Sequence, residues 1–189
     1  MAIKATIYKA QLQIADMDRG LYATHQLTIP RQPSETDERL MVRLLAFALH
    51  VPADDHDGAL VLARGVADAE EPDLWQISLA GEVRQWIELG QPDERRLIRA
   101  SGRADQVALY VYSSAAHIWW AGVQNKLARL NNLSVWQLPA AQTQALAGLA
   151  ERTMQLQVTV QDGQIWVGNA DRSLEVHPSA LKLPEARRP

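Results

Sequence analysis

Apolar and polar residues alternate over the first thirty positions with the two-residue period of strands that cover a core on one face. Ile3, Ala5 and Ile7, then Tyr8, Leu12 and Ile14, mark a strand over 3–14. Asp16-Met-Asp-Arg-Gly20 is a turn, and 21–29 returns as the partner strand of an N-terminal hairpin (3–29). The period then lengthens to that of a helix. Pro33-Ser34 opens it, with Ser34 as N-cap and Glu35, Asp37 and Glu38 in the first turn. Leu40, Met41, Leu44, Leu45 and Ala48 carry its apolar face to about His50. A short strand at 59–64, an acidic loop at 68–71 and a hairpin at 73–88 follow. Pro92-Asp93-Glu94 begins a second helix ending near Gly102. Strands at 106–112 and 133–138 enclose a third helix at 115–130. A fourth helix runs from Pro139 to about Arg152, and a hairpin at 154–167 turns at Asp162-Gly163. A strand at 174–176 precedes a Pro-rich basic tail. This order predicts a single α/β domain: a mixed β-sheet flanked by helices, with extra N- and C-terminal β-hairpins, the last segment being a C-terminal helix and hairpin at 140–177.

The central hairpin carries the candidate chemistry. With Ala80-Gly81 as a two-residue loop, paired positions sum to 161, which sets Asp73 opposite Glu88, Leu74 opposite Ile87 and Trp75 opposite Trp86. Opposed side chains share a face with Cβ atoms about 5 Å apart. Two carboxylates at that distance repel by about 3 kcal/mol at an effective dielectric near 20. A proton, a cationic partner or a metal ion must relieve them. A one-residue slip would put them on opposite faces instead. A divalent-metal site is therefore one reading, and an acidic pair neutralised by arginine is another.

Other residues can converge on such a site. Glu38 shares the stripe of Met41, Val42 and Leu45 on the first helix, as a third acidic ligand or as a first-turn surface residue. Arg96, Arg99 and Arg103 lie on one face of the second helix and suit a phosphate backbone, or simply solvent. Lys126 shares a face with Trp119, Gly122 and Val123 and can supply a cation, unless it only snorkels to water.

Composition narrows the chemistry. The 189 residues are 47% apolar, enough for a full core, and include no cysteine, which excludes disulfides and thiolate sites. The net charge of −3 argues against a protein that coats polyanions with its whole surface. No run reaches the ~18 apolar residues of a membrane span, and the N-terminus lacks a signal-peptide pattern. The expectation is a soluble, cytoplasmic protein with no membrane partner. The five histidines are scattered, and Asp54-Asp-His-Asp-Gly58 lacks the ligand spacing of a calcium loop.

The segments MAIKATIYKA, PSETDERLMVRLLA, EEPDLW, WIELGQPDERR, IWW, NLSVW and RTMQLQVTVQDGQIW resemble the YaeQ family of bacterial proteins over nearly the whole chain. The resemblance implies a variant of the PD-(D/E)xK nuclease fold, a restriction-endonuclease-like core in α-β-β-β-α-β order, at about 34–138. In that fold an Asp on one strand and an acidic residue on the next bind Mg²⁺, or Mn²⁺ in its place, positions that Asp73 and Glu88 match. Glu38 or Glu35 would complete the set. The motif lysine is absent: Gly90 stands in its place, with Lys126 as a migrated substitute and Gln91 as a weaker one. The expected function is Mg²⁺-dependent phosphodiester hydrolysis, with the Leu89 carbonyl as a further ligand and weak, local contact to nucleic acid. The alternative is a catalytically degenerate nucleic-acid- or protein-binding module on the same fold.

Overall fold

The computed structural model describes residues 5–64, 68 and 70–185. It divides into two compact units, one from residues within 1–53 and 139–178, the other from residues within 54–138 and 179–189. Among the described residues the fold is a mixed α/β fold with two mixed sheets and four helices.

In the first unit, β1 (Thr6–Asp16) and β2 (Leu21–Arg31) form the expected N-terminal hairpin; positions 3 and 4 of that expectation lie outside the described residues. The strand β1 alternates strictly, burying Tyr8, Ala10, Leu12, Ile14 and Asp16. Its other edge pairs in parallel with β8 (Thr153–Gln161), which pairs with β9 (Gln164–Gly168), and that with β10 (Ser173–Val176). The two terminal hairpins are thus one five-stranded sheet rather than appendages of the central one. Helix α1 (Asp37–His50) belongs to this unit, although its place in the chain suggests the 34–138 core. Its N-cap is Thr36, whose side chain accepts from the Arg39 N–H, so Ser34 and Glu35 precede the helix. The guanidinium of Arg19 closes the far end on the Ala48 and Val51 carbonyls. Helix α4 (Ala140–Ala147) stops at Gly148, short of the expected Arg152.

The second unit holds a six-stranded sheet in the order β11-β7-β6-β5-β4-β3. Here β3 is Leu60–Leu62, β4 Leu74–Ile77 and β5 Val83–Leu89, three antiparallel neighbours. Helix α2 (Glu94–Arg103), capped by Asp93, crosses to β6 (Ala104–Val111), parallel to β5. Helix α3 (Ala116–Leu127) crosses to β7 (Leu133–Gln137), parallel to β6. Strand β11 (Ser179–Lys182) pairs with β7, where the sequence suggests only a tail. The core here gathers Trp86, Leu97, Val107, Leu109, Leu127 and Leu133, with Trp119 and Trp120 half-buried against it.

Candidate functional site

Asp73 and Glu88 meet at the open end of the β4–β5 hairpin, by a route that differs from the expected one. The loop has three residues, not the two of Ala80-Gly81. The Gly81 N–H donates to the Ser78 carbonyl, the Ser78 N–H to the Glu82 carbonyl, and Gly81 takes φ of +85°. That is a turn closed by a left-handed glycine, as three-residue hairpin loops require. Next to the loop the pairing is Ile77 with Val83, a sum of 160. A bulge then adds one residue on β5, so Gln76–Gln85, Trp75–Trp86 and Leu74–Ile87 pair as foreseen. Two one-residue departures cancel, and the expected register returns as far as Leu74–Ile87, the last pair of the ladder, one residue short of Asp73 and Glu88.

Both are buried: Asp73 is 1% exposed and Glu88 3%. Asp73 extends the ladder with its side chain. Its N–H donates to the Ile87 carbonyl (3.1 Å), and its Oδ2 accepts from the Leu89 N–H (2.8 Å). Leu89, expected to offer a carbonyl to a metal, here gives its N–H to a carboxylate. Glu88 Oε1 accepts from the Trp86 indole N–H (2.8 Å) and from Arg96 Nε (2.6 Å). Burial pushes the Glu88 carboxyl above its ordinary range, and the charge on Asp73 adds to the rise, against the pull of Arg96 and Trp86. Arg96 also donates from Nη2 to the Glu71 carbonyl (2.6 Å). It therefore binds α2 to β5 and to the segment that leads into β4.

Arg99, Arg103 and Lys126 have acidic partners of their own. Arg99 and Arg103 are exposed and face Glu70 at 3.9 and 3.3 Å, with the Arg103 guanidinium 5.3 Å from the Trp86 ring centroid. Arg96 does not share their surface; Arg95, one position earlier, is the exposed one. Lys126 is exposed, and its ammonium bonds Glu94 at 2.6 Å, holding that carboxyl below its usual range. Gln91 is exposed beyond Gly90. Gly90 itself has φ of +94°, a conformation that strains any residue with a Cβ, which closes the motif position to lysine. Glu38 lies in the first unit and accepts from the Thr143 hydroxyl (2.7 Å). Glu35, also in that unit, is buried against Arg43 at 3.3 Å. The role of Arg96 is the one that helix-face reasoning misses. Its signal is present: Ala100, four residues on, and Leu97 beside it are the buried residues of α2.

As arranged, these groups do not fit a divalent ion. One oxygen of Glu88 already takes two donors, one of them a cation, and an oxygen of Asp73 is taken by backbone. Among the described residues no three of His, Cys, Asp and Glu gather as a metal-ligand set. No helix among the described residues is long and apolar enough to cross a membrane.

The family model described as YaeQ protein matches residues 1–178. A protein named "Uncharacterized protein YaeQ" from Salmonella typhi is 45% identical over 185 residues, 97% of this chain and 99% of its own. Its namesake from Escherichia coli (strain K12) is 44% identical with the same coverage. The crystal structure of YaeQ protein from Xanthomonas axonopodis pv. citri superposes with a TM-score of 0.89 at 44% identity, covering 95% of this chain and 99% of that one. That of YaeQ protein from Pseudomonas syringae gives 0.87 at 35% identity, covering 94% and 96%. The chain belongs to the YaeQ family.

Proposed function

We propose that this protein is a nucleic-acid-binding module on a restriction-endonuclease-like core whose acidic pair has become a structural clamp. The observation that carries the reading is a division of charge. With Arg96 turned inward to Glu88, helix α2 presents three arginines against one glutamate, and α3 with the adjoining Arg129 adds two cations and no acid, in a chain of net charge −3. A local basic layer of this kind is what a phosphate backbone selects. The pairs of Arg99 and Arg103 with Glu70 are exposed, of a class worth about 0–1 kcal/mol, so phosphate displaces them at little cost. The β3–β4–β5 meander followed by α2 and parallel β6 supports the nuclease-like core. The Arg96–Glu88 bond supports the loss of catalysis.

The test is fluorescence anisotropy of labelled DNA and RNA oligonucleotides over a range of salt, with Mg²⁺ present and strand integrity followed on gels. The expected result is binding that weakens with salt and leaves the strands intact. Arg99→Gln with Arg103→Gln should flatten the slope of log K against log salt by roughly 0.7 for each single-strand phosphate no longer neutralised. An unchanged slope would contradict the reading. Mg²⁺-dependent hydrolysis is the second reading, favoured by the adjacency of Asp73 and Glu88, and it requires Arg96 to leave Glu88. Cleavage that needs Mg²⁺ and disappears in Asp73→Asn would establish it instead.

A further inference from the structure

Helices α2 and α3 leave an open groove of about 420 Å³ between them, lined by Glu94, Arg95, Ile98, Asn125, Lys126 and Arg129. Its volume falls in the range of about 300–1,000 Å³ usual for small-molecule sites. We propose that this groove receives one nucleotide unit of a single strand, its phosphate taken by Arg95 and Arg129 and its base laid on Ile98 with Asn125 at the base edge. The inference rests on the nucleic-acid reading above and names the form of nucleic acid and the place that reads it.

Each part of a nucleotide has a matching group here. Three of the six lining residues are cations. Lys126 is ion-paired with Glu94, and the charge of Arg95 also acts on that carboxylate, but among the described residues neither Arg95 nor Arg129 is in a close ion pair, so an incoming phosphate displaces none. Ile98 is half-buried and gives the groove an apolar surface, against which the face of a base can rest. Asn125 is exposed and carries both a donor and an acceptor, the pair needed to meet a base edge. The row of α3 that bears Asn125, with Arg129 in the turn just beyond the helix, continues back through Gly122, where an added Cβ would meet nothing within 4 Å, to Ile118, which is 66% exposed. That row offers the next base a second apolar rest. A paired base has its Watson–Crick edge taken by its partner and its faces covered in the stack, so a duplex relies on the cations, whereas an unpaired base can use the whole groove. An acidic protein segment would match the arginines but leave Ile98 and Asn125 without a role.

The test compares a labelled single strand with the duplex of the same sequence, in wild type and in Arg95→Gln with Arg129→Gln. Both arginines are exposed and in no close ion pair among the described residues, so the melting temperature should not move. The double variant is expected to lose about tenfold more affinity for the single strand than for the duplex. Asn125→Ala should weaken single-strand binding without changing its salt slope, because no phosphate contact is removed. Equal losses for the two forms, with Arg99 and Arg103 still shaping the salt slope, would overturn the groove and leave the nucleic-acid reading standing. Competition by poly-glutamate as effective as that by an oligonucleotide of equal charge would overturn it in favour of an acidic protein partner. A wild type that binds neither form would overturn both.

Discussion

Glu88 sits out of water with an indole N–H and a guanidinium on one of its oxygens and a second carboxylate beside it. Removing one partner of a buried ion pair strands the other, a loss of about 3–5 kcal/mol. Arg96→Met should therefore destabilise strongly at pH 7, and adding Glu88→Gln should return most of the loss, since no buried charge remains. The dependence on pH has a definite sign. The folded value of Glu88 lies above its ordinary 4.5, so the native state holds the proton in the window between the two. Stability from this group is greatest below that window and falls as pH rises through it. Arg96→Met deepens the fall, and Glu88→Gln removes it. Urea denaturation of the wild type, both single variants and the double variant between pH 4 and 8 checks both statements. An Arg96→Met variant that loses the same small amount at pH 5 and pH 7 would show that the guanidinium does not neutralise Glu88.

Among the elements, patterning locates the strands and helices well, because a sheet with one covered face and a capped helix each write their period into the chain. It is weaker wherever a single residue matters. Ala80-Gly81 alone makes the hairpin loop one residue too short, and only the bulge on β5 returns the ladder to the expected register, up to Leu74–Ile87. A helical wheel places Arg96 beside Arg99 and Arg103. It turns inward because Leu97 and Ala100 define the buried side of α2 and Glu88 lies there to receive it. Strand β11 is not legible because Ser-Ala-Leu-Lys between prolines has too little alternation to stand out. The missing motif lysine has a structural cause as well. With Gly90 at φ +94°, Gly90→Lys should cost about 1–2 kcal/mol and confer no Mg²⁺-dependent cleavage. A variant as stable as wild type, or one that cuts, would show that the turn after β5 can reshape to accept the motif.

Across the whole molecule, charge and topology combine. The chain is acidic overall, yet its second unit gathers cations on two helices that pack on one sheet, and the carboxylates that sequence spacing brings together lie under one of those helices. Spacing along the chain shows that two carboxylates meet, but not what relieves them, since the neutralising group comes from a different element. Arg96 donates to one oxygen of Glu88, an oxygen that a metal would otherwise take, and the thermal midpoint of the wild type in chelator and in millimolar Mg²⁺ or Mn²⁺ tests whether a metal displaces it. A bound ion at ten times its Kd would add about 1.4 kcal/mol to the native state. With Arg96 in place the midpoint should be the same in both buffers; a rise with metal that Asp73→Asn abolishes would contradict that.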